Sequence, residues 1–136
     1  MRTFIKLLVS AAFAGITLVA NAADGWMTDI DAALAKAKES KKSVMVEFTG
    51  SDWCPPCIMM GKEVFSKKEF VEKASKKFIL VKIDIPNKDP KLKEQNSKVL
   101  EKYKVQGVPT VVLLNPEGKE FDRFGAAKYP TVETFT

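Results

Sequence analysis

Ile30, Ala33, Leu34 and Ala37, within TDIDAALAKAKESKK, recur at the three- and four-residue intervals of one buried helical face. Thr28 stands where an N-cap is expected. The apolar residues that follow lose this spacing. SVMVEFTG (43–50), FILVKIDI (78–85) and GVPTVVLL (107–114) are short, mostly apolar and β-prone, and read as buried strands. Between the first two, Ser66-Lys67-Lys68-Glu69 fits a capping box for a helix carrying Phe70, Val71, Ala74 and Phe78. Pro86 to Pro90 reads as a loop, and KLKEQNSKVLEKY as a helix with Leu92, Val99, Leu100 and Tyr103 on one face. NPEG is a turn, and KEFDRF a strand pairing back across it. PTVETFT begins one more helix, with Thr131 as cap and Val132 and Phe135 inward, and stops after about one turn. A C-terminal helix therefore reads as truncated: either it is absent or the sequence is a fragment.

The order α-β-α-β-α-β-β belongs to the α/β class. Strands separated by helices imply a parallel section, and the final hairpin adds antiparallel strands. The expected architecture is a mixed central sheet with helices on both faces.

The first residues follow a different pattern. Arg2 and Lys6 precede an apolar run from Leu7 to Ala20, and Ala20-Asn21-Ala22 is a small-x-small cleavage site. This reads as a secretory signal peptide over residues 1–22, cut after Ala22, because a membrane span needs about 18 or more apolar residues. One domain over residues 23–136 remains. Its formal charge is +3, the +5 of the whole chain less Arg2 and Lys6. All its basic residues except Arg123 are lysines, mixed with acids along helical stretches. That is a solvated helix surface and argues against a nucleic-acid partner.

Export changes the meaning of the two cysteines, Cys54 and Cys57, in TGSDWCPPCIMM. Outside the cytosol a disulfide is the default. Stapling gains most from a long loop, however, and this pair encloses only Pro55 and Pro56. Proline is tolerated only in a helix's first turn, which places Cys54 at the start of a helix that follows the first strand. There it meets free backbone N–H groups and the positive end of the helix dipole, and both favour thiolate. The prolines remove two competing donors, leaving the amides of Cys57 and Ile58 to meet the sulfur. Cys57, one turn in, is the more buried thiol. The spacing suits a reversible redox pair, with an attacking and a resolving cysteine.

VMVEFTGSDWCPPC, followed by KIDI and GVPT, resembles the thioredoxin superfamily over nearly all of residues 23–136. AALAKAKESKKSVMVEFTGSDWCPPC with KEVFSKKEF is similar, more narrowly, to exported bacterial thioredoxin-like proteins. The resemblance implies the thioredoxin fold and a thiol-disulfide oxidoreductase. Cys54 would attack a substrate disulfide and Cys57 would resolve the mixed disulfide. Pro109, in Val108-Pro109-Thr110, would be cis and face the cysteines, with the Val108 backbone pairing to an extended substrate. Glu47, a charge inside an apolar strand, would accept the resolving thiol's proton, with Lys82 nearby. Here Glu stands where the family has Asp, and FTGSDWC is one residue longer than the common loop. Trp53 would shield the cysteines and touch substrate, and Gly125 would let a partner approach closely. Asp52 is expected to do no more than face water. Of Met59 and Met60, one is expected in the core and the other on the surface.

The chain has no histidine. Oxidising relatives use one between the cysteines to stabilise the thiolate, so a reductant of protein disulfides is expected, fed by a membrane-embedded electron donor. No bound cofactor or metal is expected, and the mature protein is read as a monomer without stable membrane association. Two cysteines without histidine cannot supply the four ligands of a zinc site. A copper(I) carrier would need Met59 or Met60 turned towards Cys54, although both lie further down the helix. A non-catalytic binding or chaperone module would not require Cys57.

Overall fold

β1 (Ser43–Thr49) is the axis of the molecule. β2 (Phe78–Asp84) pairs with it in parallel, and β3 (Thr110–Leu114) pairs antiparallel on its other side. β4 (Glu120–Gly125) returns antiparallel to β3, so the strand order is β2-β1-β3-β4. The computed structural model describes residues 24–136. The expected signal peptide lies outside them. Among the described residues no helix is long and apolar enough to cross a membrane.

Alternation along the strands divides the core in two. Val44, Val46 and Phe48 of β1 and Ile79, Val81 and Ile83 of β2 face α1 (Ile30–Ser40) and α4 (Pro90–Lys102). Met45 and Leu80 point the other way, towards α2 (Pro55–Met60), α3 (Lys68–Ala74) and α5 (Val132–Phe135). The second layer is dominated by aromatic rings: Trp26 stacks on Phe70 and meets Phe65 edge-on, and Phe135 of α5 packs edge-on against Phe65 and Phe70. Thr131 caps α5 as expected, in a capping box with Thr134.

Three local expectations are corrected. α1 is capped by Asp29, whose carboxylate accepts the Ala32 N–H, rather than by Thr28. The chain just before is held extended: the Met27 N–H donates to Leu80 O, and Met27 O accepts from Lys82 N–H, so helical geometry starts only after it. Ser66 does not cap α3. α2 runs on without a break into a π-helical turn, Gly61–Phe65, and the Ser66 hydroxyl donates back to Lys62 O at the end of that turn. Lys67 then stands at the N-cap of α3 with no side-chain bond. On α4, Leu92 is exposed and Asn96 is buried instead. The Asn96 amide finds Asp84 O at 2.7 Å, which compensates its burial.

Arg123 ties β4 to the far end of α4. Its guanidinium donates to Tyr103 O and Lys104 O, at 2.5 and 2.8 Å, and to Glu120. These carbonyls belong to the end of a helix, where acceptors are left over and the dipole favours a cation. Arg123→Ala is expected to cost about 1–2 kcal/mol in urea unfolding, carried by the carbonyl bonds more than by the exposed pair with Glu120. Arg123→Lys, with one point charge for the planar fork, should recover less than half.

Candidate active site

The end of β1 delivers the chain into the cysteine loop on the α2 side of the sheet. Cys54 is the N-cap of α2, Pro55 and Pro56 fill its first two positions, and the Cys54–Cys57 disulfide closes over them. Cys54 Sγ accepts the Cys57 N–H at 3.4 Å. The Ile58 amide is not shared with the sulfur, contrary to expectation: it donates to Cys54 O at 2.9 Å, as the first regular helical bond. Both cysteines are buried, Cys57 more deeply than Cys54. The Val108–Pro109 peptide is cis, and Val108 O lies 3.8 Å from Cys54 Sγ. The sequence segments around residues 54 and 108 thus meet at one sulfur atom.

The loop is secured by three consecutive residues, bonded to the last residue of β2 and to the segment that follows it. The Ser51 amide donates to Asp84 Oδ1 at 2.9 Å, and its hydroxyl donates to Asp84 Oδ2. Asp52 accepts the amides of Asn87 and Lys88 at 2.8 and 2.9 Å, which hold its carboxyl below the ordinary value. The Trp53 indole N–H donates to Ile85 O at 2.8 Å. Asp52 therefore does more than face water: it clasps the loop after β2. Trp53 is 41% exposed, with Lys93 Nζ over its ring, so it lies beside the cysteines on the surface and outside the core. Its ring covers Gly50, where an added Cβ would come within 2.5 Å of the indole. Ile58 and Met59 of α2 are also exposed, whereas Met60 is buried in the aromatic layer.

Glu47 and Lys82 are register partners across β1 and β2. By alternation Glu47, Thr49, Lys82 and Asp84 share the face beneath α2. Glu47 is only 2% exposed. Its carboxyl is raised to about 7: burial pushes it up, Lys82 pulls it part of the way back, and Asp84 adds a further push. Glu47, Lys82 and Cys57 line one cavity of about 350 Å³, which Cys54 does not reach. A carboxyl that titrates near neutrality thus opens onto the same space as the more buried sulfur. Gly125 lies at the exposed end of β4, paired with Thr110, and Ala126 N–H donates to Pro109 O. An added Cβ at Gly125 would meet no atom within 4 Å, so that surface is open.

Ser51, Asp84 and Trp26 were missed in the sequence. Asp84 had a usable signal, since it continues the period-two pattern Leu80-x-Lys82-x-Asp84 onto the face of Glu47. Trp26 had none, as it precedes every periodic segment.

A family model described as thioredoxin-like matches residues 25–116. The chain is 34% identical over 104 residues to the thioredoxin-related protein DsbJ of Chlamydia pneumoniae, covering 74% of this chain and 30% of that protein. It is 38% identical over 96 residues to the disulfide bond reductase DsbH of the same organism, covering 68% of this chain and 58% of that one. It therefore spans less than two thirds of the length of either relative. Among solved structures it is similar to a DsbH oxidoreductase at a TM-score of 0.64 and 33% identity, over 74% of this chain and 71% of the other.

Proposed function

The chain belongs to the thioredoxin-like family, and from that premise we propose that it is a thiol-disulfide oxidoreductase that reduces protein disulfides in the cell envelope. The observation that carries the reading is the cysteine pair at the start of α2, with its resolving sulfur opening onto the same cavity as a buried carboxyl. The similarity to a protein named disulfide bond reductase supports the direction.

In the reduced protein the Cys54 thiolate attacks one sulfur of a substrate disulfide. A mixed disulfide forms, the substrate S–S bond breaks, and the electron pair leaves on the second substrate sulfur, which takes a proton from water. The Cys57 thiol then gives its proton to Glu47, and the new thiolate attacks Cys54 Sγ. The Cys54–substrate bond breaks, the Cys54–Cys57 disulfide forms, and the substrate leaves with two thiols. The protein loses two electrons, so the dithiol must be restored by a donor, for which a membrane-embedded protein is the fitting class. Trp53 on the cysteine loop and Ile58 and Met59 on α2, all exposed, supply apolar surface for a substrate. The Val108 backbone offers pairing to an extended segment, and Gly125 leaves room for it. The apolar leader and its small-x-small end support export to the periplasm, where the mature chain acts as a monomer.

Equilibrating residues 23–136 against glutathione or dithiothreitol tests this. The expected potential lies near about −270 mV, the range of reducing thioredoxins. A value near about −120 mV would reverse the direction and make the protein a disulfide-forming oxidant. A pair that does not cycle would leave a binding module on the same fold.

A further inference from the structure

Gly61 occupies a position where nothing local asks for glycine. Its φ and ψ, −58° and −45°, are ordinary right-handed helix, and an added Cβ would meet no atom within 4 Å. Glycine inside a helix is a liability, since it loses more backbone freedom on folding than any other residue. What distinguishes the position is its surroundings. Gly61 opens the π-helical turn, and its carbonyl receives the Ser66 N–H from five residues ahead at 2.8 Å. Such turns widen a helix and recur at functional sites. Trp26 Nε1 ties the far end of this one by donating to Phe65 O at 3.2 Å. Gly61 and the exposed Lys62 are part of the wall of the cavity onto which Glu47 and Cys57 open.

The buried end of that cavity needs water. The Glu47 carboxyl takes no hydrogen bond from the described residues. No sealed-off polar side-chain atom is left without a partner among them, so its oxygens open on the cavity. At about 30 Å³ per molecule, the space holds several waters. The proposed cycle requires one proton to leave Glu47 per turnover, and on the other side a docked substrate would cover Cys54.

We propose that Gly61, by bearing no side chain, keeps a rear entrance open for the solvent that carries protons between bulk water and Glu47, which makes it a positioning residue for the Cys57 proton step. The inference rests on the redox reading and deepens it. The charged groups facing the path are Lys82 of β2, Lys62 of the π turn and Asp24 of the N-terminal segment, with Cys57 of α2 on the same wall, while Asp84 at the end of β2 acts on Glu47 through its charge. A side chain at position 61 adds apolar bulk without altering any of them. Its effect on Glu47 would therefore come through lost hydration.

The test is Gly61→Leu and Gly61→Met, both good helix formers, each read in two ways. The Glu47 carboxyl is titrated by NMR in the resting disulfide form, and the pH dependence of mixed-disulfide resolution is followed by stopped flow. Both variants should raise the Glu47 midpoint by about one pH unit, and the rising limb of the rate profile should move with it. The limiting rate at high pH should stay that of the wild type. If either variant gives a native spectrum and its Glu47 midpoint does not move, the proposal is overturned. The second variant keeps the test decisive should the first misfold. The titration needs no turnover, so a wild-type chain that fails to cycle would sink the redox reading while leaving the entrance to be judged on the titration alone.

Discussion

Cys54→Ser is expected to leave a folded protein whose disulfide-reductase turnover has fallen by more than ~10³-fold, to the background rate. Nothing else can take over the attack. Cys57 is the more buried sulfur, and no other thiol exists in the chain. Cys54 is the residue on which the local electrostatics converge. Pro55 and Pro56 have no N–H, so the first amide that α2 offers is that of Cys57, and it is aimed at Cys54 Sγ. α2 and the π turn form one continuous helical stretch over residues 55–65, and its positive end lies at this sulfur. A serine hydroxyl in the same place ionises too weakly to use that field.

Cys57→Ser should behave differently, and the contrast identifies the roles. The first attack survives, the second cannot occur, and the protein accumulates as a mixed disulfide visible on a non-reducing gel with a model peptide disulfide. The double variant should be no worse than Cys54→Ser alone, since the two residues act in sequence on one bond. Full activity in Cys54→Ser would contradict the redox reading and favour a binding module.

The sheet was legible because its strands are apolar runs with no helical spacing, and β1, β2 and β3 fall within the segments read for them. The cysteine helix was legible because proline leaves few choices of geometry. The loop around it was not. Ser51, Asp52 and Trp53 carry no periodicity, and their partners lie 32 to 36 residues away in sequence. Such bonds become visible only once β1 and β2 are in register. Ser66 misled for a related reason. A serine two residues before α3 looks like a cap, but the preceding helix, lengthened by its π turn, had already claimed that hydroxyl. The π turn itself leaves no mark in GKEVF beyond its glycine. Glu47 stands between these cases: its position inside a strand was readable, while its hydration depends on a cavity assembled from four separate segments.

That hydration sets the largest expected change in stability. Glu47→Gln should stabilise the protein by about 3 kcal/mol at pH 8.5 and by almost nothing at pH 4, the difference opening between 4.5 and about 7. The sign follows from proton binding. Unfolded, the carboxyl titrates near 4.5; folded, burial raises it to about 7. Between those values the native state holds the proton and the unfolded state does not, so wild-type stability falls as pH rises through the window. Above it the native state carries a buried charge that Lys82 offsets only in part. Glutamine keeps the shape without the charge, which removes this dependence on pH. In a domain of this size the gain at pH 8.5 corresponds to a Tm higher by roughly 10 °C. Stability would be followed by urea unfolding of both proteins from pH 4 to 9. Parallel curves with no divergence would mean that Glu47 is hydrated well enough to titrate normally, and the proton-acceptor role would lose its physical basis. The same variant should resolve mixed disulfides up to about 10²-fold more slowly near neutral pH, because an amide cannot accept the Cys57 proton. A residue that destabilises the fold when charged and speeds the reaction when present is held there by its chemistry, and the two measurements together separate that from a role in packing.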